Sequence, residues 1–425
     1  MLDLRAIRED PGPARAALAR RGAAEALDEL IALDARRREL LPEVEGLRAA
    51  QNKASDEIAA AKREGGDASE VIGRMKGVSA ELKRLQAELT EVEERRDALA
   101  ATLPNLPHPE APEGGEEDAV TLREVGEPPS FDFELRDHLD LGLEHGWIEV
   151  EKAAAASGSR FAYLLGDLVM IELALIRFAV DTVRAQGFEP VVPPVLVREG
   201  PLYGTGFFPG EREMIYEVER DELFLVGTSE VSLAALHADE ILEPNQVPRR
   251  YAGISTCFRR EAGAAGKDTR GIFRVHQFDK VEMFSFVRPE DSSAEHERIL
   301  AIEEQILAAL ELPYRVVEIA IGDLGAPAAR KFDCEAWIPS QERYRELTSC
   351  SNTTDFQARR LGARFRPAPE APPEVLHTLN GTAVAISRTL IALIENGQQA
   401  DGSVVLPPAL VDAGAPAVIG TGSGS

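Results

Sequence analysis

The chain is short of cysteine, aromatic residues, long apolar runs and positive charge, and these shortages narrow its function. Cys257, Cys334 and Cys350 are the 3 cysteines among 425 residues, an odd number with no CxxC spacing. A disulfide framework and a thiolate zinc site are disfavoured, and a reducing compartment fits. The 7 histidines include no HExxH, so a histidine-held zinc lacks support too. No apolar stretch approaches the roughly 20 residues that a membrane helix needs. The opening MLDLRAIRED is charged from its third residue and has no apolar leader core. The expectation is a soluble, cytoplasmic protein without membrane contact. Basic charge is also scarce: 47 Lys and Arg against 73 Asp and Glu leave a net charge of −26. Taken globally, that opposes a nucleic-acid partner. Charge acts locally, however. Residues 1–110 hold 18 Lys and Arg against 22 Asp and Glu, so −22 of the total lies in the remaining 315 residues.

The length predicts two to three domains. From about residue 27 to 103 the chain is rich in Ala, Glu, Leu and Arg. Apolar positions recur at Leu30, Leu33, Leu41, Val44, Leu47, Ala54, Ile58 and Ala61, with Arg37 and Gln51 filling two slots. Beyond Gly65-Gly66-Asp67 the pattern resumes at Val71, Met75, Val78, Leu82, Leu85, Leu89, Val92, Leu99 and Leu103, with Arg96 in one slot. Steps of three and four are coiled-coil spacing. Two such helices around a Gly-Gly turn predict an antiparallel hairpin, each arm about 50 Å long at 1.5 Å per residue. The run Pro104–Glu117 is Pro/Gly/Glu-rich and reads as a linker. This divides the chain into 1–110, carrying the arm, and 111–425, ending in a mobile Gly/Ser/Ala tail from Ala413. In the second part, helices are expected over 166–186, 231–241 and 292–310. Strands are expected in GFEPVVPPVLV and over 223–226, 272–275, 281–286 and 315–321. Strands spaced irregularly by helices and loops predict an α+β fold.

Four polar clusters carry candidate chemistry. In CFRREAGAAGKDTRGIFRVHQFDKVEMFSF, Arg259, Arg260, Glu261, Lys267, Arg270 and Arg274 gather charge around a Gly-rich loop, with Phe278 near them. Guanidinium forks suit phosphate and carboxylate oxygens, and a ring can stack on a base. A solvated hairpin loop is the plain alternative. Gly227-Thr228-Ser229-Glu230 sits where a strand meets a helix, where hydroxyls ordinarily cap. In Tyr344–Asn352, Glu346 and Ser349 are oxygen donors three residues apart that could share a Mg²⁺, against a plain turn. Asn380-Gly381-Thr382-Ala383 leads through Ser387-Arg388 into an apolar helix, where capping is the alternative.

Together and in order, these segments resemble class II aminoacyl-tRNA synthetases. GFEPVVPPVLV is similar to the first class signature, CFRREAG…RGIFRVHQF to the second and LNGTAVAISRTLIALIEN to the third. VGTSE, HQFDKVEMF, YRELTSCSN with DFQARR, and the heptad hairpin resemble the seryl-tRNA synthetases of bacterial type, over residues 1 to about 408. The resemblance implies a catalytic domain on an antiparallel sheet flanked by helices, and an N-terminal arm for tRNA. It implies ATP-driven formation of seryl-adenylate and transfer of the seryl group to the terminal adenosine of tRNA(Ser), with tRNA(Sec) a further acceptor where the host has one.

The resemblance also implies roles. Arg259 bridges the serine carboxylate and the ATP α-phosphate, Glu261 contacts the adenine amino group, and Arg388 caps the adenine and reaches the γ-phosphate. Phe278 lies beneath the adenine and Arg274 meets pyrophosphate, with Arg260, Val275, Leu347 and Thr348 completing the ATP set. Glu346 and Ser349 are the Mg²⁺ ligands. Thr228 and Glu230 lie near the L-serine ammonium, with Ser229 between them in the serine set; Glu282, Asn380 and Thr382 line its hydroxyl end. Arg36, Arg37, Arg38, Arg48, Lys53, Lys62, Arg63, Arg74 and Lys76, with Lys83 and Arg84, are candidate tRNA contacts. A homodimer is implied, with GFEPVVPPV at its interface. Ser232 stands where the family often has proline, and LPPALVDAGAPAVIGTGSGS replaces its usual basic, aromatic end. These departures leave room for a specialised or inhibitor-tolerant paralogue. A paralogue loading a carrier would be expected to lack the arm, and a degenerate scaffold would lack Arg259, Glu261, Glu346 or Arg388.

Overall fold

A computed structural model describes all residues except 263–265, 267 and 421–425. Lys267 therefore lies outside the described residues. The chain divides into two compact units, residues 2–103 and Met1 with 104–425.

The first unit is helical: α1 (Leu4–Glu9), α2 (Pro11–Ala19), α3 (Ala24–Arg63) and α4 (Ser69–Thr102). The cross-pairs Glu29–Arg95, Arg37–Glu93, Gln51–Ser79 and Glu57–Arg74 climb one helix as they descend the other, so α3 and α4 are antiparallel. Gly65, at φ 71°, takes the left-handed conformation that closes the turn. The seam corrects one assignment. Leu40 is fully buried and packs with Val44, Leu85 and Leu89, whereas Leu41 is only partly covered. With Leu40 in place the steps from Leu30 to Ala61 alternate three and four without interruption. Arg37 fills its slot by bonding Glu93 at 2.8 Å.

The second unit is built on an eight-stranded sheet. Its strands are β1 (Val120–Val125), β2 (Glu189–Val191), β3 (Arg249–Phe258), β4 (Gln277–Val287), β5 (Tyr314–Glu318), β6 (Arg330–Ile338), β7 (Arg343–Thr354) and β8 (His377–Ala385). Their order is β1-β5-β6-β7-β8-β4-β3-β2, antiparallel apart from the β2/β3 pair. Helices α6 (Asp167–Ala185), α8 (Ser292–Ala309) and α10 (Ile386–Gly397) are preceded in the chain by α5 (His138–Glu144), and the short α7 (Glu230–Ala234) and α9 (Phe356–Leu361) fall between them. The main core joins Ile171 and Leu175 of α6, Ile299 and Ile306 of α8, and Leu390 and Ile394 of α10 to Met283, Phe332, Cys334, Cys350 and Leu379 of the sheet. Because successive strand residues point to opposite faces, Phe278, Lys280 and Glu282 of β4 are left on the other face. A second cluster around Phe284, Phe286, Leu233 and Leu361 covers only part of it.

Three expectations fail here. Residues 272–275 form no strand; they are turn and bend leading into β4. Residues 231–241 are helical only at the start, where Glu230–Ala234 continues into a single 3₁₀ turn. The tail is ordered as far as Gly420: Val418–Ile419 pairs with Val404–Val405, and Ile419 and Ala415 are buried. Apolar positions at 415 and 419 give this segment a face to bury, which the surrounding Gly and Ser conceal in composition. Only its last five residues lie outside the described ones.

Candidate active site

Three adjoining hollows open on the uncovered face. The first, about 190 Å³, is lined by Thr228, Glu230, Arg259, Lys280, Glu282, Asn380 and Thr382, among others. The second, about 70 Å³, shares Arg259, Lys280 and Thr382 with it and adds Glu261, Phe273, Arg274, Phe278, Glu346, Leu347 and Arg388. The third, about 540 Å³, shares Phe273, Arg274, Glu346 and Arg388 with the second and adds Asp268, Lys331, Asp333 and Arg345. Arg259 thus lines both smaller hollows.

In the first hollow, Glu230 Oε1 accepts hydrogen bonds from Gln357 Nε2 at 2.7 Å and Asn380 Nδ2 at 2.9 Å. Lys280 Nζ donates to Thr228 Oγ1 at 2.9 Å and pairs with Glu282, which also accepts from Thr382 Oγ1 at 3.4 Å. Burial, reinforced by the Glu282 charge, pushes the Glu230 carboxyl up to about 7. Burial raises Glu282 as well, against the pull of Lys280. Lys280 is committed to Thr228 and Glu282, whereas Glu230 Oε1 is held by the neutral amides of Gln357 and Asn380, which leaves its charge for an incoming cation.

Ser229 is turned away from this hollow. A Cβ on Gly253 would lie 2.7 Å from Ser229 Oγ, so the side chain is pressed against β3 rather than lining the cavity.

The second hollow depends on two irregularities of the sheet. Glu346 and Ser349 are three apart, which in a regular strand places them on opposite faces. The register slips between Cys334↔Thr348 and Glu335↔Glu346, making Leu347 an extra residue. This β-bulge resets the phase and brings Glu346 and Ser349 to one hollow. A slip at Ala383 does the same for Thr382 and Ala385. Arg388 Nη1 donates to the Glu346 carbonyl at 3.0 Å and pairs with its carboxylate at 3.2 Å. Burial alone would raise Glu346, but Arg388, Lys331 and Arg259 outweigh it and hold the carboxyl at about 2.

An ionised carboxylate beside a hydroxyl is a hard-oxygen pair of the kind Mg²⁺ accepts while keeping waters and phosphate oxygens. The donor set fits that ion. Thr348 does not belong to it, because its hydroxyl points through the sheet to Glu303 at 2.8 Å.

Arg259 directly follows β3, with Nε donating to the Gly227 carbonyl at 3.1 Å, and its guanidinium lies 5.4 Å from the centre of the Phe278 ring. Two residues on, Glu261 adopts φ 49°, a left-handed turn that side chains seldom take, at the mouth of the loop. Its carboxylate meets Arg274 at 3.4 Å. Arg274 also donates to Asp268, which receives Arg345 Nη2 at 2.8 Å. Burial opposes ionisation of Asp268, yet these two arginines hold it at about 2.

Arg260 and Arg270 are not in the hollows. Arg260 lies over Tyr216 at 5.7 Å, and Arg270 pairs with Asp137 and Asp140. Sequence reading missed Lys280, Lys331, Gln357, Phe273 and Arg345. The period-two alternation Phe278-Lys280-Glu282 could have revealed Lys280. Gln357 and Phe273 reach the site only through packing; Phe273 lies beneath the guanidiniums of Arg345 and Arg388, at 3.8 Å and 4.9 Å.

On the arm, Arg36 pairs with Glu88 and Glu39, Arg48 with Gln86 and Arg74 with Glu57. Arg63 donates to the Ala59 carbonyl. Arg38, Lys53, Lys62 and Lys76 are exposed.

Residues 215–397 match the tRNA synthetase class II core domain (G, H, P, S and T), and residues 1–107 match the seryl-tRNA synthetase N-terminal domain. A serine–tRNA ligase of Acidothermus cellulolyticus is 53% identical over 414 residues, 97% of each chain. The seryl-tRNA synthetase of Pyrococcus horikoshii, solved with ATP, superposes with a TM-score of 0.89 at 41% identity over 99% of both chains. The cytoplasmic serine–tRNA ligase of Naegleria fowleri, solved with AMP, gives 0.85 at 32% identity over 99% of this chain and 98% of the other.

Proposed function

The chain belongs to the seryl-tRNA synthetases, and from that premise we propose that it activates L-serine with ATP and passes the seryl group to the 3′-terminal adenosine of tRNA(Ser). The observation that carries this reading is the continuity of the hollows at Arg259. A recess in which the Glu230 carboxyl is held by neutral amides opens, past Arg259, into one lined by Phe278, Arg274 and Arg388. Serine would set its ammonium between Glu230 and Thr228 and its hydroxyl toward Glu282 and Thr382. Its carboxylate then faces Arg259, which also holds the α-phosphate. The carboxylate oxygen attacks phosphorus, and pyrophosphate leaves toward Arg274 and Arg388.

No group of the enzyme becomes covalently attached. The residues supply alignment and charge compensation. Glu346 and Ser349 would hold Mg²⁺, which offsets triphosphate charge. In the second step the adenosine hydroxyl attacks the seryl carbonyl and AMP departs. The arm is the surface for the tRNA, with the exposed Arg38, Lys53, Lys62 and Lys76 as first candidates for phosphate contact.

We also infer a homodimer. Met170 and Leu173 of α6 are 48% and 56% exposed, and Val192 is 81% exposed. Large apolar side chains left this exposed are a mark of an interface. Leu173→Asp should shift the protein toward monomer in sedimentation velocity. Pyrophosphate exchange with each of the twenty amino acids tests the central reading. Serine alone should support exchange, and exchange driven by another amino acid would overturn it.

A further inference from the structure

Glu303 is a carboxyl that this mechanism does not use, and its surroundings are unusual. It lies on α8 among the buried Ile299, Leu300, Ile302, Ile306 and Leu307, one turn and more beyond the buried Ser292, Glu295 and His296, and it is fully buried. Burial holds its carboxyl well above the ordinary range, so it is neutral. A leucine would satisfy the same packing without a polar group to desolvate.

Its contacts lie at two places on the sheet. Oε2 accepts from Thr348 Oγ1 at 2.8 Å, beside the bulge at Leu347. Oε1 has no nitrogen or oxygen partner among the described residues; the carboxyl lies beside the Cys334 thiol, and Oε1 faces Gly381, where a Cβ would stand 2.8 Å from it and also clash with Ile299 Cγ2. Helix α8 is therefore pressed directly against the backbone of β8 at Gly381. Thr348 and Gly381 face the helix. Their neighbours Ser349, Asn380 and Thr382 face the hollows.

We propose that Glu303 is a positioning residue for the adenylation reaction, holding β7 and β8 from the helix side so that Glu346, Ser349, Asn380 and Thr382 converge on the other. The inference rests on the reading of the site given above. It assigns Glu303 no contact with substrate. A neutral acid serves here because it can take the Thr348 hydroxyl without placing a charge under a site already crowded with carboxylates. Glutamine offers the same acceptor oxygen and the same shape, whereas leucine keeps the volume and loses the bond.

The test compares Glu303→Gln, Glu303→Leu and Thr348→Val in serine-dependent pyrophosphate exchange. Calorimetric binding of a non-hydrolysable seryl-adenylate analogue in metal-free buffer gives a second readout. Wild-type protein is the control: if it fails to exchange with serine, the functional reading falls, not this inference. Glu303→Gln should stay within about twofold of wild type. Glu303→Leu, measured on its folded fraction, should lose between about tenfold and a hundredfold in kcat/KM, as misplacement by a fraction of an ångström does. Its analogue affinity should fall in parallel. Thr348→Val, a smaller change, should move both quantities in the same direction. A purely structural Glu303 would lower the melting temperature and leave the constants of the folded protein unchanged. That result for Glu303→Leu would overturn the proposal. If Glu303→Leu does not fold, wild-type constants for Thr348→Val would do so.

Discussion

At the scale of single residues, the site is governed by charges that have few neighbours to share. Arg259 lines both smaller hollows. Arg259→Ala should abolish pyrophosphate exchange while the circular dichroism spectrum stays native; near-normal exchange would refute the bridging role. Glu230 makes a second prediction. Its carboxyl ionises at about 7 because burial and Glu282 disfavour its charge. The carboxylate is the form that attracts an ammonium, and protonation removes it as pH falls. In the free enzyme kcat/KM for serine should therefore drop by about tenfold per unit below pH 7. Glu230→Gln should have low serine affinity and a profile without that limb. A limb unchanged in Glu230→Gln would assign it to another group.

At the scale of elements, a shift of one residue decides which side chains matter. Leu40 and Leu41 are adjacent and chemically identical, yet only Leu40 is fully buried in the seam of α3 and α4, while Leu41 packs at its edge. Leu40→Ala should destabilise the helical arm by about 2–4 kcal/mol, from lost transfer energy plus a cavity. Leu41→Ala should cost less than about 1 kcal/mol, both read from thermal unfolding at 222 nm. Equal losses would mean the seam runs elsewhere. The bulge in β7 works in the same way on the sheet: a single extra residue moves Glu346 from the core face to the cavity face. Heptad spacing made the arm legible in sequence because it repeats over many turns. The bulge was not legible, since it is a mismatch between two strands and belongs to neither alone. Residues 330–338, 343–354 and 377–385 were not foreseen as strands for a related reason. Their small and polar residues alternate between a helix-packed face and a wet one, a pattern that resembles loop until both faces are known.

At the scale of the whole molecule, the charge of −26 is compatible with an RNA partner because it is unevenly placed. The arm is close to neutral, and several of its cations are exposed. Removing residues 30–100 should leave serine-dependent pyrophosphate exchange within about threefold of wild type and abolish charging of tRNA(Ser). Charging that survives the deletion would disprove the arm's role. Neutralising Lys53, Lys62 and Lys76 together should lower the salt dependence of tRNA binding, each lost phosphate contact reducing the log–log slope by about 0.7–0.9.

The sequence by itself determined the coiled-coil arm, the α+β class and the set of charged segments, because periodicity and local composition are properties of the chain alone. It also carried the family resemblance, through several motifs in order. Tertiary structure decided which of those residues share a hollow. It turned Ser229 and Thr348 away, committed Arg37 to Glu93 and Arg260 to Tyr216, and brought in Lys280, Lys331 and Gln357. It also seated the tail, through Ala415 and Ile419. The physical reason is that facing depends on register, and register is settled by the partner strand and the helix packed behind it.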